Sequence, residues 1–209
     1  MKLLVPLFIF FSSLLYGQTY CLFTPPPNWE IADPKMVSKR AIFGFLDKSK
    51  SGFCPSINLT SEKVSLSPEE YLLIVEENCK KKRQKWRHLG KIQTRAGVAE
   101  LTEVEVRTQF GAARMMQAIL FKEGTAYILT AGALKKDFSK HASLIEQAFS
   151  SLTLSDDLFS LVENEKLQEK LRTSWQKKEV GLESKTFETL VLKECCSLGA
   201  PWQILMLKL

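Results

Sequence analysis

The sequence predicts an α+β protein in which an antiparallel β-sheet is covered by helices on both faces and is followed by a C-terminal helical extension. Three observations lead there. Between residues 91 and 131 four strand-like segments follow one another across short turns, the mark of an antiparallel meander. One of them, around Tyr127, Ile128 and Leu129, is apolar without alternation, so both of its faces need cover. One segment of helical period beginning at Ser67 and another ending near Leu152 flank the meander and supply that cover.

The chain has 209 residues, 45% of them apolar and 25% charged, which suits one or two compact domains and excludes a disordered or collagen-like polymer. Residues 1–17 read as a secretory signal peptide: Lys2 gives a positive start, residues 3–16 form an apolar stretch, and Gly17 is a small residue at a plausible cleavage point. At about fourteen residues that stretch is short of the roughly twenty that a membrane-crossing helix requires. No later window spells a transmembrane segment, so the expectation is an exported protein, periplasmic or secreted. Gln18, Thr19 and Tyr20 before Cys21 are the wrong residues for a lipid-attachment site. Loss of Lys2 with the leader leaves 28 basic against 23 acidic residues, or +5, too weak a surplus for a dedicated nucleic-acid binder. Five cysteines, at 21, 54, 79, 195 and 196, name no disulfide framework, and most suit small buried apolar residues.

In order, Thr24-Pro25-Pro26-Pro27-Asn28-Trp29 must be extended, because three prolines fix φ and remove donors, and Trp29 is expected to plug the core. Residues 41–46 and 54–60 read as two strands joined by the turn-rich residues 47–52. Ser67-Pro68-Glu69-Glu70 spells a capping box with proline at the first helical position. The helix it starts places Tyr71, Leu72, Ile74, Val75 and Cys79 on one face, with the basic cluster in its last turns, where cations complement the helix dipole. Strands are then expected at 91–94, 98–110, 114–121 and 126–131, with residues 122–125 as a tight hairpin turn. Mixed parity among Leu101, Val104, Val106 and Phe110 implies a bulge or two covered faces. Phe138, Ala142, Ile145, Ala148, Phe149 and Leu152 repeat at helical spacing after Asp137 and Ser139, the candidate caps.

The core domain is thus expected over residues 18–154 and a helical extension over 155–209. Its first helix, residues 158–178, carries an interrupted stripe of Leu158, Leu161, Leu171 and Trp175. A second helix is expected over 184–196, and the apolar residues 202–209 need cover from the core or from a partner.

Residues 22–154 resemble the PsbP/DcrB-like superfamily, which also includes a Ran-binding nuclear-import factor. The resemblance is carried by Pro27-Asn28-Trp29, by Pro55-Ser56-Ile57-Asn58-Leu59-Thr60, by the Ser67-Pro68-Glu69-Glu70-Tyr71 helix start, by residues 126–130 and by Ala148-Phe149-Ser150-Ser151-Leu152. It implies an α/β/α sandwich used as a binding or accessory module, and it brings no shared catalytic set.

No residue pattern names a reaction, a metal or a cofactor. His88 and His141 are the only histidines and neither has ligand spacing, so His141 is read as a hydrogen-bonded histidine at the core edge. Cys79 lies near cations but on the expected buried face, which argues against a nucleophile. Glu100, Glu103 and Glu105 are read as a solvated face compensated by Arg107 and Lys91, in preference to an acid/base pair. The one surface feature with a functional reading is the cluster Lys80, Lys81, Lys82, Arg83, Lys85 and Arg87, with Trp86 among them. The leading expectation is an exported, non-catalytic accessory or protein-binding factor of the bacterial cell envelope. The alternative is a binder of an anionic surface or ligand, lipid or glycan, through that cluster.

Overall fold

The structure is a computed structural model that describes residues 19–32, 41–48, 52–157, 159, 162 and 164–179. In chain order its elements are β1 Tyr20–Leu22, β2 Glu30–Ile31, β3 Ala41–Leu46, β4 Ser56–Lys63, α1 Pro68–Lys81 and β5 Lys85–Thr94. They continue with β6 Gly97–Thr108, β7 Gly111–Lys122, β8 Thr125–Leu134, α2 Phe138–Ser150, β9 Thr153–Ser155 and α3 Glu165–Glu179. The signal reading, the helix expected over 184–196, the apolar end, and Cys195 and Cys196 lie outside the described residues.

Seven strands form one antiparallel sheet in the order β2-β3-β4-β8-β7-β6-β5. The hairpins β5-β6, β6-β7 and β7-β8 are sequence neighbours, as the turn spacing predicts. The β7-β8 turn requires positive φ at both Glu123 (50°) and Gly124 (68°), the conformation that matches strand twist in a two-residue hairpin. Insertion of β8 beside β4 is the long-range step that joins the first hairpin to the meander.

β8 is the centre. Leu129, Ala131 and Ala133 face α2, packing with Ile57, Leu59, Ala118, Ile145 and Phe149. Ala126 and Ile128 face the other way, against Ile119 and the Leu72 side chain of α1. The absence of alternation at Tyr127 to Leu129 therefore has the predicted cause, cover on both faces. Beneath α2 the core is aromatic: Phe23 stacks on Phe43 at 5.6 Å and meets Phe45 edge-on at 5.8 Å. Such ring pairs contribute about 0.5–1.5 kcal/mol beyond their buried area.

α1 starts as its sequence dictates, with the Glu70 amide donating to Ser67 Oγ (3.2 Å) and the Ser67 amide donating to Glu70 Oε2 (2.9 Å). Its rotation differs from the expected face. Leu72 and Cys79 are buried, whereas Ile74 is 45% and Leu73 61% exposed. Tyr71 sets that rotation, since its ring meets Phe121 edge-on at 5.3 Å and its hydroxyl donates to Glu62 on β4. α2 also departs locally. Asp137 makes no side-chain cap and its carboxylate instead accepts from Lys140 Nζ at 2.6 Å.

A second sheet, absent from the sequence reading, pairs β1 with β9. Trp29 is buried, as expected, with its ring 6.1 Å from that of His141. His141 is buried too, and its Nε2 makes no hydrogen bond among the described residues. Helix α3 begins at Glu165, later than the expected 158, because Asn164 caps it: the Leu167 amide donates to Asn164 Oδ1 at 3.0 Å. Phe159 and Val162 precede it as buried residues, Leu171 is fully buried, and Trp175 meets Phe159 edge-on at 6.4 Å. Among the described residues no helix is long and apolar enough to cross a membrane.

Phe45 is 1% exposed and belongs to the aromatic cluster. Replacing Phe45 with Ala removes a ring that the packed neighbours cannot refill, so urea unfolding should show a loss of about 3–5 kcal/mol with the two-state transition retained.

Candidate functional site

The basic cluster occupies a helix end, a turn and an edge strand, not one helix face. Lys80 and Lys81 are in the last turn of α1, and Lys82 caps it with φ −85°. Arg83 then takes φ 56°, the left-handed region that stops a helix. Three amides fold back on the helix end: Lys82 to Asn78 O (3.2 Å), Arg83 to Lys80 O (2.9 Å) and Gln84 to Cys79 O (2.9 Å). Lys85 and Arg87 fall on β5, which runs six residues earlier than the expected start at 91. An edge strand tolerates such charge, because its outer side is hydrated and cations there discourage pairing with other chains.

Strand register sorts these residues. Lys85 lies opposite Glu105, and Arg87 opposite Glu103. On β7, Met116 is opposite Glu103 and Arg114 opposite Glu105. Arg87 donates to Glu103 Oε1, and Arg114 Nε lies 3.2 Å from Glu103 Oε2, an ion pair made without hydrogen-bond geometry. The Arg114 guanidinium also sits 5.3 Å above the Phe138 ring. Glu103 is 4% exposed, which overturns the solvated-face reading for this residue. Its compensation comes from Arg87 and Arg114 in place of Arg107 and Lys91. Glu105 pairs with Lys135 Nζ at 2.7 Å, while Glu100 pairs with His88 Nε2 at 2.8 Å and Lys91 Nζ at 3.4 Å. The consecutive burial of Thr102, Glu103 and Val104 shows two covered faces in β6, and the bulge lies opposite, between His88 and Gly90 of β5.

Of the six predicted cations, Lys80 is held by Glu76 at 2.8 Å and Arg87 by Glu103. Lys82, Arg83 and Lys85 meet around a cavity of about 520 Å³, closed by Gln84, Glu105, Val106 and Arg107. Arg107 was missed as a member because it arrives from β6, through strand pairing that no local spacing encodes. Lys81 is exposed and does not line the cavity.

Electrostatics follow from this arrangement. The hydrogen bond from Lys135 holds the Glu105 carboxyl below the ordinary carboxylate range, helped by the charges of Lys135, Lys85 and Arg114 and opposed by desolvation. The hydrogen bond to Glu103 pushes the Arg87 guanidinium further up. Burial raises the Cys79 thiol, with Lys82 pulling weakly the other way, and burial raises the Cys21 thiol strongly. Neither is poised as a thiolate. Among the described residues no group of three His, Cys, Asp or Glu is placed to hold a metal ion.

No family model matches the chain, and no curated protein matches it in sequence. Solved structures do match. The chain is similar to LpqN of Mycobacterium tuberculosis, described as involved in cell envelope biogenesis, at 14% identity and TM-score 0.48 over 67% of this chain and 86% of that one. It is similar to the cyanobacterial PsbP of Synechocystis sp. PCC 6803 at 10% identity and TM-score 0.46, over 69% and 96% of the two chains. The Ran-binding protein Mog1p of Saccharomyces cerevisiae is similar at 19% identity and TM-score 0.39, over 65% and 84%.

Because Glu105 has a depressed folded pKa, its ionised form adds stability above the unfolded value of about 4.3, and that contribution disappears as pH falls through the folded value. Thermal unfolding of wild type and Glu105→Gln should therefore differ by a constant amount from about pH 7 to 5 and draw together as pH falls from the unfolded value through the lower folded one. A difference that grows on acidification would contradict the assignment.

Proposed function

We propose that the protein is an exported, non-catalytic accessory module of the cell envelope that acts by holding a partner protein. Export rests on the leader pattern of residues 1–17. The binding reading rests on one observation above all, the outer face of α1. Leu73 and Ile74 stand 61% and 45% exposed, and Leu66, just before the helix, is 39% exposed. Clustered exposed apolar side chains on a soluble surface mark contact sites more often than isolated ones do.

The interior supports a module without chemistry. Phe23, Phe43, Phe45 and Phe149 fill the space between sheet and α2 where a substrate cleft would otherwise form. Glu100, Glu103 and Glu105 are each held by cationic side chains, and Glu105 is shifted away from the neutral range that a general acid or base needs. A second reading, an anionic surface or ligand held by the basic cluster, is favoured by the gathering of Lys82, Arg83 and Lys85 with Arg107 around one cavity.

Affinity capture from envelope extract tests the first reading. Wild type should retain a defined protein, and the Leu73→Glu, Ile74→Glu double variant should lose it while keeping its melting temperature, since both changes are at the surface. Equal retention by the double variant, or no retained protein with wild type, would refute it.

A further inference from the structure

We propose that the cavity bounded by Lys82, Arg83, Lys85 and Arg107 is a binding site for a phosphate ester carrying two or more negative charges. The proposal rests on the second reading above, narrows it from the whole cluster to one cavity, leaves out Lys80, Lys81 and Arg87, and adds Arg107. It is separate from the outer face of α1.

Charge balance is the first argument. Four basic residues line the cavity against a single carboxylate, Glu105, and that carboxylate already has Lys135 at 2.7 Å. None of the four makes an ion pair among the described residues, whereas neighbouring Lys80, Arg87 and Arg114 all do. The sheet pairs its cations where it can and leaves these four together. Like charges gathered this closely repel one another, and a multivalent anion removes that cost.

Backbone geometry is the second. Arg83 holds φ 56°, a region in which a bulky residue is an outlier and glycine is at ease. Its turn places Arg83 in the lining of the same cavity as Arg107 of β6. The helix end does not compete for these side chains, because the carbonyls of Asn78, Cys79 and Lys80 already accept from the amides of Lys82, Gln84 and Arg83.

Ligand chemistry follows from the donors. Two guanidinium forks match phosphate oxygens in pairs, and two ammonium groups add point charge. About 520 Å³ exceeds what a single inorganic phosphate fills and falls within the range of small-molecule sites. A soluble diphosphate ester and the terminal phosphomonoester headgroup of a phosphatidic acid membrane share this chemistry, and the experiment separates them.

The test is calorimetric titration of the full chain with inorganic pyrophosphate at low and high salt, alongside cosedimentation with phosphatidic acid vesicles. Phosphatidylcholine vesicles are the control. Arg83→Gly removes a cation and relieves the φ strain, so it should weaken binding at least about tenfold while leaving the melting temperature unchanged or higher. Arg107→Gln should weaken binding similarly, and Lys81→Gln should not. Pyrophosphate binding that weakens with salt and with these two variants assigns a soluble ester. Vesicle retention lost in the same variants assigns a membrane headgroup, and either result sustains the proposal. Absence of binding to both probes overturns it. Binding insensitive to Arg83→Gly and Arg107→Gln but lost in Lys80→Gln, Lys81→Gln also overturns it, while sustaining the broader reading of a diffuse basic surface.

Discussion

Burial of β8 on both faces is the constraint from which the rest of the structure follows. Leu129, Ala131 and Ala133 send their side chains under α2, and Ala126 and Ile128 send theirs under α1. A strand with two apolar faces cannot stand at an edge or against water, so it must be central and each face must have its own layer. That requirement places the meander on one flank of β8 and the β3-β4 hairpin on the other. It also places β5, last in the row, at the rim.

The chemistry of the surface is a consequence of that order. Charges are expensive near the centre and inexpensive at a hydrated edge, and the basic run of the sequence lies on the edge strand and the turn that feeds it. Strand register then decides which cations are neutralised. Arg87 and Arg114 meet the buried Glu103, and Lys135 meets Glu105, whereas Lys82, Arg83, Lys85 and Arg107 meet one another. The asymmetry of charge is therefore between cations that strand pairing sets against carboxylates and the four that it sets beside one another.

The central fold was legible in the sequence because its signals are local. The capping box at Ser67 and Glu70, the positive-φ turn at Glu123 and Gly124, and the unalternating Tyr127 to Leu129 each report on their own backbone. What the sequence hid was encoded across the chain. The β1-β9 pairing joins Tyr20 to Ser155, and three-residue strands carry no period to read. The rotation of α1 depends on where Tyr71 meets Phe121 and Glu62, so Ile74 turned outward although its spacing fits the buried face. The cluster from Lys80 to Arg87 looked continuous because it is continuous in sequence. Arg83 breaks the helix within it, and Lys85 and Arg87 then continue on one face of β5, opposite Glu105 and Glu103. Glu103 looked solvated for a related reason, since its partners Arg87 and Arg114 lie sixteen residues before it and eleven after it, on two other strands.

Native-state hydrogen exchange reaches the central claim most directly. If β8 is the doubly covered centre, its hydrogen-bonded amides, those near Leu129 and Ala131 above all, should exchange only through global unfolding, at the free energy found by denaturant titration. Hydrogen-bonded amides of β5 should exchange sooner, through local opening at the rim. Exchange of the β8 amides as fast as those of β5 would contradict the account.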